Sequence, residues 1–344
     1  MSRSNRFIKA CRKEPVDCTP VWMMRQAGRY LPEYREIRAK HSFLEMCKTP
    51  ELAAEITIQP VRRFEIDAAI IFADILLPFD PMGIKLEFAE GEGPIIRNPV
   101  RTMTDVRNLK QINPAAQLDY VMKAIRLALE KLNGFVPLIG FSGAPFTLAC
   151  YLIEGGSSRS YQQAKTMMFK EPQTWHALME QLTAIIVGYL NAQIDAGVQV
   201  VQLFDSWVGA LGREDYKEFV LPHQKNLIAG IEKTVPLIHF ANNANHLLDM
   251  VTEAGGDVIG IDWRCNLGSA WKEIGYDKGI QGNLDPASLF GTREFIRKRV
   301  KEILEHTGNR NGHIMNLGHG ILPQTPIENA EEFINTTHAL SKRT

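Results

Sequence analysis

Short apolar stretches alternate with longer amphipathic stretches along the whole chain, and this alternation predicts parallel strands joined by helices. The apolar stretches are continuous and are not interrupted by polar residues at every second position, which indicates strands covered on both faces. We predict eight strands, at residues 19–24, 67–73, 136–141, 198–204, 235–240, 257–262, 279–283 and 313–318. Between them the pattern predicts helices such as Pro114–Asn133 and Pro172–Ala196, each followed directly by a glycine.

The repeated pairing of a strand with a helix indicates the α/β class and favours a single (β/α)8 TIM barrel over a doubly wound sheet. The connection between the second and third predicted strands is unusually long, and its segments GIKLEF, AEGEG and PIIRN predict an extra hairpin that turns at Gly91 and Gly93. We find no internal repeat and no low-complexity linker in the sequence. We therefore expect residues 1–344 to form one barrel domain.

The composition limits the classes of partner. The 344 residues carry 39 Lys and Arg against 39 Asp and Glu, which argues against a nucleic-acid binder with a broad basic surface. The five cysteines are scattered and never spaced as CxxC, so we expect reduced thiols and neither a disulfide framework nor a zinc ribbon. No apolar run approaches the roughly 20 residues of a membrane span, and the N-terminus lacks the apolar core of a signal peptide. These features predict a soluble, cytoplasmic protein that has no membrane partner.

Polar residues directly follow the predicted strands, as expected for the mouth of a barrel. Active sites of such barrels lie at the carboxyl ends of the strands. The residues at these positions are Arg25, Asp74, Ser142, Gly143, Asp205, Ser206, Asn242, Asn243, Trp263, Arg264, Asn283, Asp285 and His319. Apolar strands alone do not require such a ring, so we interpret it as a candidate active site.

The segment Arg25–Arg29 follows the first predicted strand and places two guanidinium groups at this mouth. A guanidinium suits bidentate binding of a carboxylate or phosphate, and Gly28 frees the backbone between the two arginines. The alternative is a solvated loop. Arg35 and Arg38 belong to the following helix, where exposure is the default, although Arg38 lies one turn further on and could point back to the site.

Asp74 ends the apolar stretch IIFAD and is flanked by Phe72, Ile75 and Leu76. A carboxylate in apolar surroundings is costly unless it caps a helix, pairs with an arginine or meets a cationic ligand. Its position at the end of a barrel strand favours a catalytic role.

Tyr151 and His319 are weaker candidates. Tyr151 lies in the segment 144–161, whose glycine-rich end lacks the lysine of a phosphate-binding loop and indicates a flexible lid; a core tyrosine is the alternative. His319 lies between Gly318 and Gly320, which allow a ligand to approach the backbone, and a turn histidine is the alternative. No HxH, HxxxH, HExxH or paired-cysteine pattern occurs, so we predict no metal.

Five segments, WMMRQAGRYLPEYR, IIFADIL, CYLIEGGSS, FDSW and NLGHG, closely resemble the uroporphyrinogen decarboxylase family over essentially the whole chain. The resemblance implies one distorted (β/α)8 barrel, a homodimer, and catalysis without a metal or organic cofactor. It also implies a tetrapyrrole substrate: uroporphyrinogen III would lose four acetate carboxyl groups as CO2 and become coproporphyrinogen III.

The resemblance further implies roles for individual residues. Asp74 would face the four pyrrole N–H groups, and Arg25, Arg29 and Arg38 would bind acetate and propionate groups. Catalysis would involve Asp74, Arg25 and Arg29, and the proton donor would be a guanidinium, a water or a substrate carboxylic acid. The substrate-binding set would comprise Arg25, Gln26, Ala27, Gly28, Arg29, Arg38, Phe72, Asp74, Tyr151, Ser206 and His319.

One position departs from the family pattern, and two other functions remain as alternatives. Trp207 follows Ser206 where the family often has a histidine, which leaves the role of this position open. Cobalamin-linked methyltransferases of similar fold bind zinc through an HxC motif, but here His239 is followed by Phe240 and Ala241. A non-enzymatic tetrapyrrole carrier would need the pocket but not Asp74.

Overall fold

A curled sheet of parallel strands lies at the centre of the computed structural model, which describes residues 3–89 and 93–343. The strands are β1 (Ala69–Ile70), β2 (Leu86–Ala89), β3 (Gly93–Ile96), β4 (Leu138–Gly143), β5 (Val200–Asp205), β6 (Leu237–Ala241), β7 (Val258–Gly260), β8 (Gly279–Gln281) and β9 (His313–Ile314). In the described ranges, seven of them form the sheet in the order β1-β4-β5-β6-β7-β8-β9, and every neighbouring pair is parallel. The predicted α/β class with a parallel sheet is therefore confirmed.

Helices connect successive strands and cover the sheet. They are α1 (Arg3–Cys11), α2 (Pro32–Arg38), α3 (Phe43–Lys48), α4 (Pro50–Arg63), α5 (Met103–Asn108), α6 (Pro114–Gln117), α7 (Asp119–Leu132), α8 (Pro145–Glu154), α9 (Gln162–Lys170), α10 (Pro172–Asp195), α11 (Arg213–Phe219), α12 (Leu221–Gly230), α13 (Leu248–Ala254), α14 (Leu267–Ile274), α15 (Arg293–Thr307) and α16 (Ile327–Leu340). Short 3-10 turns span Leu77–Phe79, Val208–Ala210, Asn245–Leu247 and Pro286–Phe290. None of the helices in the described part of the chain has the length and apolar character needed to cross a membrane.

Adjacent residues of each strand enter different parts of the core, because successive side chains point to opposite faces of a strand. Leu138 and Val201 belong to a large cluster that includes most of the buried helix residues. Ile139 and Val200 belong to a smaller cluster, to which α1 contributes Phe7. Both faces of the sheet are thus covered, which explains the continuous apolar runs in the sequence.

The predicted first strand, residues 19–24, does not form a strand in the structure. This extended segment makes one isolated parallel bridge, between Val21 and Met315, so the sheet is not closed by a continuous eighth strand. Side chains take two of its backbone donors: the Asp67 carboxylate accepts from Val21 N–H at 2.8 Å, and Asn316 Oδ1 accepts from Met24 N–H at 3.0 Å. Pro20 has no N–H to donate.

Asp67 also joins both ends of the chain to this extended segment. The side chain is fully buried, and its Oδ1 accepts from Arg6 Nη1 at 2.6 Å. Its Oδ2 lies 2.7 Å from His338 Nε2 on α16. A buried carboxylate is tolerated only with such partners, so α1, α16 and the segment 19–24 are held together at this point.

The extra hairpin is confirmed, since β2 and β3 pair antiparallel with Leu86 opposite Ile96. The predicted turn at Gly91 lies outside the described residues, while Gly93 begins β3. The hairpin also contacts the glycine-rich segment after α8: Ile96 N–H donates to Gly155 O at 2.8 Å. This bond fixes the beginning of the glycine-rich end of segment 144–161, which the sequence indicated as a lid.

Candidate active site

A cavity opens at the carboxyl ends of the strands β1, β4 and β5, next to the loop that follows β9. It encloses about 880 Å³, including its open mouth. The lining residues are Met24, Arg25, Ala27, Gly28, Arg29, Tyr34, Phe43, Ile70, Ile71, Phe72, Ala73, Asp74, Ile75, Phe141, Phe204, Ser206, His319 and Gly320. Of the predicted polar ring, Arg25, Asp74, Ser206 and His319 reach this cavity, and the remaining ring residues do not line it.

The loop that carries the two arginines has an unusual backbone. Arg25 has φ of 63° and Arg29 has φ of 60°, and Gly28 between them has φ of 97°. Non-glycine residues in this left-handed region typically cost about 1–3 kcal/mol each and persist only when their surroundings enforce them. The strain therefore marks a loop whose shape is imposed by neighbouring structure.

Gln26 is one of the groups that enforce this shape. Its side chain is fully buried; Oε1 accepts from Met23 N–H at 2.9 Å and Nε2 donates to Ala68 O at 2.8 Å. The loop is also tied to the segment after β9, because Ile321 N–H donates to Met24 O at 2.9 Å. Gln26 thus lies inside the fold and does not line the cavity, although sequence resemblance predicted substrate contact.

Arg25 and Arg29 provide concentrated positive charge in a mostly apolar cavity. Among the described residues, no carboxylate lies within ion-pair distance of either guanidinium. Arg29 Nη1 donates to Ile321 O at 3.3 Å, which fixes the side chain but does not neutralise it. Burial, followed by the charge of Arg25, lowers the pKa of Arg29 to about 10. Arg29 therefore remains cationic at neutral pH, so the cavity suits an anionic ligand.

Asp74 follows β1 and faces this charge within an apolar wall. Its Oδ1 accepts from Leu76 N–H at 2.8 Å, so the side chain does stabilise the turn before Leu77–Phe79. Burial raises the pKa of Asp74, while the Leu76 N–H and the charge of Arg25 oppose this shift. The turn-capping role and a role toward a ligand are compatible, because Asp74 also lines the cavity.

His319 presents a neutral ring to the cavity at physiological pH. Burial lowers the pKa of His319 to about 4, and the charges of Arg25, Arg29 and Arg264 add to this shift. The imidazole can therefore donate or accept a hydrogen bond without adding a further positive charge.

Tyr151 does not line the cavity but lies close enough to it to interact electrostatically with Asp74. Burial, and then the charge of Asp74, raise the pKa of Tyr151 to about 12, so its hydroxyl remains protonated. The Tyr151 ring packs on Trp207, with ring centroids 3.9 Å apart. Trp207 thus forms an aromatic support for Tyr151.

Arg38 is placed differently from the other predicted residues. It lies on α2, outside the cavity lining, and its Nη1 donates to His41 O at 2.9 Å. In contrast, Ala27, Gly28 and Phe72, which the resemblance assigned to the substrate-binding set, line the wall of the cavity. A methyl group on Gly28 would lie 3.2 Å from the Phe72 ring, so the glycine allows close contact between loop and strand.

Most of the aromatic wall of the cavity was not predicted from the sequence. Tyr34 and Phe43, from α2 and α3, each pack on Phe72 with ring centroids 5.9 Å apart. Phe141 and Phe204, near the ends of β4 and β5, pack edge to face at 5.5 Å. Phe141 and Phe204 could have been predicted, because each directly precedes residues of the predicted polar ring at the barrel mouth. Nothing in the sequence indicated Tyr34 and Phe43, since only tertiary packing brings α2 and α3 to the cavity.

Gly320→Ala should reduce the catalytic activity of this cavity without unfolding the protein. A methyl group at this position would lie 2.5 Å from Arg25 Cδ, so the Arg25 side chain must move. Because a displacement of about 1 Å can cost on the order of 100-fold in rate, we expect kcat/KM to fall at least about tenfold. Gly212→Ala is the control, since its added methyl would meet only Asp215 Oδ2, at an ordinary contact distance of 3.8 Å. Equal activity of both variants would show that the position of Arg25 is unimportant.

His239, the histidine that a zinc-binding HxC motif would use, lies in the core. His239 is fully buried; its Nε2 lies 3.3 Å from Gln224 Nε2 and its Nδ1 lies 3.2 Å from Gly255 O. Within residues 3–89 and 93–343, no group of three or more His, Cys, Asp or Glu side chains is arranged to hold a metal ion. The structure therefore offers no ligand set around His239.

Known proteins with similar sequences share one family. Residues 2–340 match the family model described as uroporphyrinogen decarboxylase (URO-D). A uroporphyrinogen decarboxylase of Carboxydothermus hydrogenoformans is 57% identical over 336 residues, which are 97% of this chain and 96% of the relative. One of Sorangium cellulosum is 51% identical over 339 residues, covering 98% of this chain and 97% of the relative.

Among solved structures, a methyltransferase from Methanosarcina mazei superposes with a TM-score of 0.82 and covers 98% of both chains. Its sequence is 19% identical, so this likeness shows the shared fold alone. The family model and the relatives extend over nearly the full length of the sequence. This chain belongs to the uroporphyrinogen decarboxylase family.

Proposed function

We propose that this carboxy-lyase removes the four acetate carboxyl groups of uroporphyrinogen III as CO2 and releases coproporphyrinogen III. Family membership supports the reaction. The observation that carries the proposal at the level of the site is one apolar cavity that holds Asp74 and two arginines without a carboxylate partner among the described residues. This set matches a substrate with many carboxylates around a ring that becomes cationic during the reaction.

Arg25 and Arg29 bind substrate carboxylates in this proposal. Uroporphyrinogen carries eight of them, and a guanidinium offers paired donors in a plane that matches a carboxylate. The aromatic wall formed by Phe72, Phe141 and Phe204 packs against the pyrrole rings. The substrate is thus oriented by charge at its periphery and by apolar contact at its centre.

The chemistry needs a proton before it releases CO2. Protonation of the pyrrole α-carbon next to the acetate-bearing carbon gives a cationic ring. The acetate C–CO2 bond then breaks, its two electrons neutralise the ring, and an exocyclic methylene remains. A proton adds to this methylene and the α-proton leaves, so each step converts CH2–COO⁻ and one H⁺ into CH3 and CO2. The propionate carboxyl is one carbon further from the ring and its electrons cannot conjugate in this way, so it is retained.

In these reaction steps, Asp74 stabilises the cationic pyrrole ring. An ionised carboxylate fixed in an apolar cavity interacts more strongly with a developing cation than it would in water. The Leu76 N–H and Arg25 favour the ionised form against the effect of burial on the Asp74 pKa. Ser206, His319 and the Tyr151 hydroxyl serve as neutral polar partners of the substrate, and Arg38 binds a carboxylate that extends toward α2. Catalysis needs no metal or organic cofactor.

We further propose that residues 1–344 form one barrel domain, in which the extended segment 19–24 takes the place of the missing strand. Backbone bonds on both sides support this arrangement: Asp67 N–H donates to Val21 O at 2.8 Å, and Trp22 N–H donates to Met315 O at 3.3 Å. A cytoplasmic location is consistent with five cysteines that are all free thiols.

The proposed reaction is tested by incubating the purified protein with uroporphyrinogen III under anaerobic conditions and separating products by carboxyl number. We expect the octacarboxylate to disappear and the tetracarboxylate to accumulate with CO2, before and after dialysis against a chelator. The tetracarboxylate supplied as substrate is the control and should not react. Binding without CO2 release would instead indicate a tetrapyrrole carrier, and restoration of lost activity by zinc would support the metal-dependent alternative.

We also propose a homodimer, on family grounds. Sedimentation at micromolar concentration should give a species of twice the 38.8 kDa chain mass. A single species of 38.8 kDa over the whole concentration range would contradict this assembly.

A further inference from the structure

A stack of three side chains connects the cavity wall with the protein surface. His319 lines the cavity, and the Trp263 ring lies parallel to its imidazole, with centroids 6.2 Å apart and planes inclined by 26°. On the Trp263 ring lies the guanidinium of Arg264, whose Cζ is 3.8 Å from the ring centroid. Arg264 is exposed, so the stack places a cation on the rim, beyond His319.

The backbone that carries this stack is held firmly. The fully buried Asp262 carboxylate accepts from Arg264 N–H at 2.8 Å and also accepts from Asn243 N–H. Asn283 Nδ2 donates to Asp262 O at 2.8 Å and to Cys265 O at 2.9 Å. Because four bonds fix so short a turn, Arg264 starts from a defined position and loses less freedom on binding a ligand.

Gly318 shows how closely this turn and the loop after β9 approach each other. A methyl group on Gly318 would lie 2.3 Å from Trp263 N, where no side chain can fit. His319, the next residue, is thereby placed against Trp263. The glycine thus allows the close contact between the turn at Trp263 and the loop after β9.

The charge of Arg264 acts on the cavity although the side chain is outside its lining. Arg264 contributes, after Arg25 and Arg29, to the low pKa of His319. Within the described residues, its ion-pair partner is Asp262, with Nη1 3.4 Å from Oδ1 of a carboxylate that already accepts two backbone N–H groups. The guanidinium side chain is 41% exposed and keeps donors for a ligand.

We propose that Arg264 is a further substrate-binding residue, which binds a propionate carboxylate of the tetrapyrrole at the rim of the cavity. This inference rests on the proposed function. The eight carboxylates of the substrate outnumber Arg25 and Arg29 in the cavity, so those that extend past His319 need another cation. A propionate is not cleaved, and it binds equally in the ground state and the transition state. Arg264 therefore contributes to KM and hardly to kcat.

The test compares Arg264→Gln with the control Arg310→Gln. Arg310 is also exposed and also lies over an aromatic ring, with its Cζ 4.4 Å from the Tyr276 centroid, but it is not near the cavity lining. Arg264→Gln should raise KM for uroporphyrinogen by about two- to fivefold, the upper part of the range expected for a partly exposed ion pair, with kcat near the wild-type value. It should also weaken the increase of KM with salt, because one screened charge pair is lost. Arg310→Gln should match the wild type in both respects.

A second measurement separates this inference from the proposed reaction. Uroporphyrin, the oxidised octacarboxylate, is titrated into each protein and its affinity is measured by fluorescence quenching. Weaker binding by Arg264→Gln, but not by Arg310→Gln, supports the carboxylate site even if no CO2 is released, in which case only the proposed reaction fails. Unchanged KM, affinity and salt dependence would overturn the inference. A lower kcat with unchanged KM would also overturn it, since that result indicates a purely structural effect through Trp263 and His319.

Discussion

Asp74→Asn should lower kcat for uroporphyrinogen by roughly 100- to 1000-fold, about 3 to 4 kcal/mol, while the Tm stays the same or rises slightly. Asparagine has nearly the same shape and keeps an oxygen that can accept the Leu76 N–H, which Asp74 Oδ1 now accepts at 2.8 Å. The change removes the negative charge that the proposed pyrrole cation requires. Removing a charge that is costly to bury does not destabilise the fold.

The raised pKa of Asp74 gives this prediction a pH dependence. Catalysis needs the ionised carboxylate, so kcat of the wild type should fall as the pH decreases through the raised pKa of Asp74. The free energy of unfolding changes with pH in the opposite direction to kcat. Because the pKa is higher in the folded than in the unfolded state, the neutral form favours folding, and this contribution is lost as the pH rises through the folded pKa. Asp74→Asn should therefore lack this loss of stability.

Asp74→Glu separates the charge from its position. It keeps the charge but moves it by about one methylene group, and a displacement of about 1 Å can cost on the order of 100-fold in rate. We expect a folded, strongly impaired enzyme. A folded Asp74→Asn variant with wild-type kcat would contradict the stabilisation of a cation by Asp74. An unfolded Asp74→Asn variant would show that the turn-capping bond to Leu76 is its main role.

Arg25→Lys should lower kcat/KM by about 30- to 100-fold, the range expected when hydrogen bonds to a charged group are lost. Lysine keeps the charge but not the planar pair of donors. Arg25 is also the arginine whose charge opposes the raised pKa of Asp74, and both residues line the cavity. We therefore expect a substantial part of the fall in kcat/KM to come from a lower kcat.

Arg29→Lys should have a smaller effect, mainly on KM. The Arg29 guanidinium already donates to Ile321 O at 3.3 Å, and Arg29 is not among the charges that shift the pKa of Asp74. Arg35→Lys is the matched control, since Arg35 is exposed on α2 and donates to Pro323 O at 2.7 Å. Wild-type kcat/KM in both the Arg25 and Arg29 variants would contradict their role in carboxylate binding.

The sequence was sufficient for the parts of the site that strand geometry determines. Parallel strands bring their carboxyl ends to one edge, so Asp74 after β1 and His319 after β9 could be placed together without coordinates. Side-chain direction within a loop could not be predicted in this way. Gln26 points into the fold while its neighbours Arg25 and Ala27 line the cavity, because positive φ angles at Arg25 and Gly28 turn the chain between them.

The local sequence pattern also gave a wrong strand prediction where side chains, and not a neighbouring strand, accept the backbone hydrogen bonds. The segment TPVWMM has the apolar character of a strand, yet Asp67 and Asn316 take the N–H groups of Val21 and Met24. These partners lie 46 and 292 residues away in the sequence, so no window of local pattern includes them. The same limit applies to Tyr34, which reaches the cavity through the packing of α2 on Phe72.

A single-turnover experiment shows whether the charge of Asp74 is needed for decarboxylation in this cavity. Wild type and Asp74→Asn are mixed in excess with uroporphyrinogen III under anaerobic conditions and quenched, and the products are separated by carboxyl number. We expect the wild type to convert the octacarboxylate to the tetracarboxylate, whereas folded Asp74→Asn should bind the octacarboxylate and leave it unreacted over the same time. Formation of the tetracarboxylate by Asp74→Asn at the wild-type rate would show that the charge of Asp74 is not required.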